Sequence, residues 1–120
     1  MTAPAPSPLQ GTWLPVRAEL DGEAAPALAL ERMELVFRHD TYAVSFAGTV
    51  HDAGAFTHTA ATLTLTGRLA PHAGRVVPAI YQLVGDRLRI CYGIDGTEPV
   101  AFTTAANSAR YLVTYRRQTA

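Results

Sequence analysis

Five tyrosines are the residues best suited to build a site in this 120-residue chain: Tyr42, Tyr81, Tyr92, Tyr111 and Tyr115. Each carries a broad apolar ring and one hydroxyl. Rings lining a small cavity would hold a flat or aromatic molecule, and the hydroxyls would orient it. Tyr is also a favoured strand residue, so ordinary sheet composition accounts for the same set equally well. Arg17 and Glu19 share the parity of Trp13. On a regular strand they would form an internal ion pair, costly to bury and indicative of a polar cavity. On a bulged strand they become surface charges, and Pro15 between them and Trp13 favours a bulge or bend.

The remaining reactive residue types form no constellation. His39, His51, His58 and His72 are scattered. His39-Asp40 and His51-Asp52 look like base–orienter pairs, but adjacent strand residues face opposite ways, and His58 is of opposite parity to His51. A metal centre needs convergent ligands with their own hydrogen-bonded supports. Solvated turn residues are the plainer reading, so neither a metal nor a cofactor is expected. Cys91 is the one cysteine, which excludes an internal disulfide. A nucleophilic role would need an electropositive surrounding and a base, so a small packed residue is expected there instead.

Ten Arg against ten Asp and Glu leave the formal charge at zero. With no clustered basic stripe, nucleic acid is not the expected partner. No apolar run approaches the ~20 residues of a membrane span. Residues 1–8, with prolines at 4, 6 and 8, read as an extended tail without the charged and apolar regions of a secretory signal. A cytoplasmic protein, monomeric or weakly dimeric, is the expectation.

The elements that must position these residues are short strands. Residues 12–20 form the first, ending at Asp21-Gly22. Residues 23–32 are Ala/Leu-rich, with Pro26 suited to a first helical position, and suggest one or two helical turns covering an end of the sheet. Residues 33–37 and 42–46 alternate cleanly around a short polar turn and read as a hairpin. A weaker strand lies in 49–59, a Thr/Leu alternation in 62–67, and a second hairpin in 79–92 around Gly85-Asp86. A long connection over 93–107 holds a short extended piece at 100–103. Residues 110–117 form the last strand. About eight strands, with no helix long enough for a parallel crossover, suit an antiparallel sandwich or barrel. Eight is the size at which a closed sheet either fills with side chains or holds one small ligand.

Several ordered stretches carry a resemblance: Leu9-Gln10-Gly11-Thr12-Trp13, Ala18-Glu19-Leu20-Asp21-Gly22, the run from Ile80 through Gly85-Asp86 to Tyr92, Glu98-Pro99 with Phe102-Thr103, and Tyr115-Arg116-Arg117. Over residues 9–118 the chain resembles the lipocalin-like, calycin-type bacterial domains of uncharacterised function that are abundant in planctomycetes. The resemblance implies an all-β, eight-stranded up-and-down barrel. It also implies a closed end at Gly11 and Trp13, with the indole packed under Arg116 or Arg117. It supplies no catalytic residues. Pro15 and the Ala-rich middle, 53–73, depart from the pattern.

One lipocalin-like domain over 9–118, behind a tail at 1–8, is therefore expected to bind a small hydrophobic or aromatic molecule. The candidate lining is Phe37, Tyr42, Phe46 and Tyr81, with Ile90, Tyr92, Tyr115 and Glu19. Two alternatives stand beside it. One is a small-barrel isomerase, cyclase or hydrolase using an internal Glu19, Tyr81 or His58. The other is a filled barrel that docks a protein on its outside.

Overall fold

The computed structural model describes residues 8–70 and 73–118. Residues 1–7 of the tail expected at 1–8, and His72, lie outside them. Among the described residues nine strands are formed, β1 (Gly11–Leu20), β2 (Glu23–Ala24), β3 (Met33–Arg38), β4 (Thr41–Phe46), β5 (Thr49–His58), β6 (Thr62–Gly67), β7 (Val76–Val84), β8 (Arg87–Gly93) and β9 (Arg110–Arg117), together with one helical turn, α1 (Ala27–Leu30). All pairings are antiparallel between neighbours, and β9 returns to pair with β1. Eight strands thus close an up-and-down barrel with no free edge, and β2 is a two-residue flap on the outer half of β1. The stretch at 23–32, expected to be helical, divides into this flap and the single turn, whose Leu30 joins the core.

Alternation within the strands decides what faces inward. Leu63 and Leu65 are buried while Thr62, Thr64 and Thr66 are not, and Leu88, Ile90 and Tyr92 face in from β8. The barrel's two ends differ. The lower end, where β1 begins and β9 finishes, is packed by Trp13, Leu63 and Leu88, all at 1% exposure or less, and by the Phe37–Phe56 pair, whose centroids are 4.7 Å apart.

Trp13 seals this end. Its Nε1 donates to the Leu9 carbonyl at 2.8 Å, closing a turn beneath the indole. The Arg117 guanidinium lies 4.3 Å from the ring centroid. It also donates to the carbonyls of Gln10 at 2.6 Å and Pro8 at 2.8 Å, and pairs with Asp86 at 3.5 Å. One planar, multi-donor cation therefore ties the chain's first turn, the β7–β8 turn and the last strand together, a job the point charge of Lys cannot do. Arg116 points to solvent and takes no part. We expect Arg117→Lys to cost about 1–2 kcal/mol and Arg116→Ala less than about 0.5 kcal/mol in urea unfolding.

Two bulges re-aim side chains. In β1 the register against β9 slips between Pro15 and Arg17. Trp13 and Pro15 face in, Val16 is the extra residue, and Ala18 then takes the inward position at 1% exposure. Arg17 and Glu19 pair with each other on the outside at 3.6 Å. The polar-cavity reading of this pair is therefore wrong, and Glu19 is removed from the pocket lining. In β5 the register against β4 slips between Val44 and Ser45, leaving His51 unpaired. Asp52 stands opposite the inward Val44, while Val50 turns out at 49% exposure.

The long connection after β8 lies over the barrel's outer wall and contains no strand at 100–103. Phe102 sits under the Arg89 guanidinium at 4.3 Å, and the Cys91 thiol faces outward beneath Thr103. Burial pushes the Cys91 thiol pKa up, against the pull of Arg110 and the Thr103 backbone, so the thiolate needed for nucleophilic attack is disfavoured.

Candidate functional site

The upper half of the barrel holds a cavity of about 220 Å³. Its walls come from seven strands, β3 to β9, and the start of the β8–β9 connection: Met33, Val44, Leu65, Val77 and Ile94 supply apolar surface, Tyr42, Tyr92, Tyr111 and Tyr115 supply rings, and Asp52 supplies a carboxylate. Gly67 and Arg75 stand at the rim, where the Arg75 guanidinium donates to the Ile94 carbonyl and so links two neighbouring loops. For scale, an apolar cavity of about 150 Å³ takes one benzene. This one suits a single ring with a short substituent.

The polar groups sit in two pairs. The Tyr42 hydroxyl donates to Asp52 Oδ2 at 3.1 Å, whereas Asp52 Oδ1 is buried and has no hydrogen-bond partner among the described residues. The Tyr92 and Tyr115 hydroxyls share a hydrogen bond of 2.8 Å in the interior, and the Tyr92 ring stacks on Tyr111 at 5.7 Å. Because each of Tyr92 and Tyr115 satisfies the other, removing one hydroxyl leaves a buried orphan. We expect Tyr92→Phe or Tyr115→Phe alone to cost about 1–3 kcal/mol and the double variant to cost less than the two singles summed, as a double-mutant cycle would read.

Burial dominates the acid–base behaviour of these rings. It pushes Tyr42 up to about 12, with the Asp52 charge and hydrogen bond adding to the rise. Burial also raises Tyr92, against the Tyr115 hydrogen bond, and raises Tyr115 well above the phenolic range, with Tyr92 adding to it. Each folded-state value lies above the unfolded one, so the folded chain keeps these protons longer. Their stabilisation is complete below about pH 10 and is lost as pH rises through the folded values. Unfolding free energy should therefore hold steady up to about pH 9.5 and then fall by up to about 1.4 kcal/mol per pH unit for each tyrosine. The native phenolate absorbance at about 295 nm should stay low until the barrel opens.

Of the residues proposed from sequence, Tyr42, Tyr92 and Tyr115 line the cavity. The others do not, each for a structural reason. Phe37 and Ile90 are inward but belong to the packed core, at 2% and 0% exposure. Tyr81 is inward at the lower end, where its hydroxyl donates to the Thr59 carbonyl at 2.6 Å. Phe46 has inward parity but sits at the top of β4, exposed beside the bulged His51 at a ring separation of 6.2 Å. Glu19 is outside. None of Glu19, Tyr81 and His58 lines the cavity; His58 is exposed at the lower rim, stacked against Phe56 at 5.9 Å. Among the described residues, no three His, Cys, Asp or Glu side chains come together as a metal site would need.

Sequence reasoning missed Asp52 and the apolar wall of Met33, Val44, Leu65 and Val77, and it named Tyr111 among the site-building tyrosines without placing it in the lining. Asp52 shares a parity with Gly54 and the apolar Phe56, and that spacing was the available signal. No family model, curated protein or solved structure matches the chain. Among the described residues, no helix is long and apolar enough to cross a membrane.

Proposed function

We propose that this barrel binds a small, largely apolar molecule of about one ring in the upper cavity. One observation carries the reading. The lower half of an otherwise well-packed barrel is sealed by Trp13, while the upper half keeps about 220 Å³ walled by aliphatic side chains and four tyrosine rings. A concave, mostly apolar pocket of this size with a few convergent polar atoms is the usual mark of a ligand site. We also propose kinship with the lipocalin-like, calycin-type domains. The eight-stranded closed topology and the Trp13–Arg117 stack support it. A cytoplasmic location suits the free buried thiol of Cys91. The barrel would work alone or as a weak homodimer, without nucleic acid or membrane.

Titration with propylbenzene tests the reading, followed by calorimetry and by the rise in melting temperature. Saturable one-to-one binding is expected. Val44→Phe, which fills the cavity from β4, should weaken it by about tenfold or more while far-UV circular dichroism stays native. A wild-type protein that neither binds nor is stabilised would overturn it. Trp13 lies at the sealed end, so its fluorescence is not the signal to follow.

A further inference from the structure

Asp52 is the one carboxylate among the described residues of the cavity wall, and one of its oxygens has no partner there. One oxygen accepts the Tyr42 hydroxyl at 3.1 Å. The other, Oδ1, is buried without a partner among the described residues. A carboxylate is acceptor-only when ionised, and an unmet buried acceptor is costly. The fold nevertheless keeps it there through the bulge at His51, which sets Asp52 against the inward Val44. The rings of Tyr42, Tyr92, Tyr111 and Tyr115 line the same space. Aromatic faces around an anionic acceptor form the surroundings that stabilise an ammonium group, through cation–π attraction and a charge-assisted hydrogen bond.

We propose that the natural ligand is a small hydrophobic amine, with its protonated nitrogen paired with the Asp52 carboxylate and its apolar body against Met33, Val44, Leu65 and Val77. This rests on the binding role proposed above. The other charged group of the cavity, Arg75, stands at the rim with its guanidinium already donating to Ile94, so it leaves the interior to the carboxylate.

Four probes of nearly equal shape test the assignment by calorimetry on the full chain: 2-phenylethylammonium, 2-phenylethanol, propylbenzene and phenylacetate. The ammonium should bind about 10- to 100-fold more tightly than the alcohol and the hydrocarbon, with phenylacetate weakest. In Asp52→Asn the Tyr42 hydroxyl keeps an amide oxygen to donate to, but the group left for the ligand becomes a donor. The ammonium advantage should vanish there while propylbenzene affinity changes by less than about threefold. Equal binding of all four probes by the wild type would overturn the amine assignment and leave the binding role standing. A preference for phenylacetate would also overturn it and hand recognition to Arg75. Failure of every probe, propylbenzene included, would overturn both proposals.

Discussion

Trp13→Ala is expected to remove about 3–5 kcal/mol of stability, the range for deleting a fully buried large aromatic side chain. Several losses coincide at this position. The indole is 0% exposed, so its removal leaves a hole at the sealed end of the barrel. The Leu9 carbonyl loses its donor, and the Arg117 guanidinium loses the ring on which it lies. Small domains hold only about 5–15 kcal/mol in total, so this variant should sit near the threshold of folding. Trp13→Phe separates the terms. It keeps a ring for Arg117 but not the N–H for Leu9, and should cost about 2 kcal/mol less than the alanine variant. Urea unfolding followed by far-UV circular dichroism measures both. Because the indole and the cavity lie at opposite ends, Trp13→Phe should leave propylbenzene affinity within about threefold of wild type.

Gly54→Ala should be comparably severe, for a different reason. A Cβ at this position would stand 2.0 Å from the Thr66 carbonyl oxygen, 2.9 Å from its carbon and 3.0 Å from the Gly67 Cα. All three are backbone atoms of the adjacent strand, so no side-chain rotation relieves the clash. The cost is space, met where β5 and β6 approach most closely through the facing Gly54–Gly67 pair. Overpacking usually costs about 1–3 kcal/mol, and a backbone clash this close should exceed about 3 kcal/mol. Gly48 provides the control. Its backbone is left-handed at φ +84, yet nothing lies within 4 Å of a built Cβ, so Gly48→Asn should cost less than about 1 kcal/mol. Gly54 lies between Asp52 and Phe56 on β5. Opening the β5–β6 ladder there should therefore also loosen the cavity wall, and slower hydrogen exchange in the wild-type β5 and β6 amides would record the difference.

The fold was largely legible because period-2 alternation in β3, β4, β6 and β8 is unbroken and the Gly85-Asp86 turn is explicit. The bulge in β1 was legible too, since Pro15 cannot continue a regular ladder. The bulge at His51 carried no such marker. It lies in polar and small residues, and an inserted residue there costs little sequence signal. Asp52 was missed with it, because an isolated acidic residue in a weak strand reads as surface. Parity located Tyr92 and Tyr115 on the interior but could not assign height along the barrel axis. Tyr81, Phe37 and Ile90 have inward parity and still miss the cavity, since they stand below it or within the packed core. Only strand register fixes that coordinate, and register depends on pairing across the whole closed sheet. The choice between Arg116 and Arg117 is a parity question of the same kind, settled by Arg117 lying directly opposite Trp13.

The most direct test of the central claim is a methyl-labelled NMR titration with propylbenzene. Binding in the upper cavity should shift the methyl signals of Met33, Val44, Leu65 and Val77 along one saturable curve. Leu63 and Leu88, packed at the sealed lower end, should stay in place. Shifts confined to Leu63 and Leu88, or no shifts at saturating ligand, would contradict a barrel closed by Trp13 at one end and built to hold a small molecule at the other.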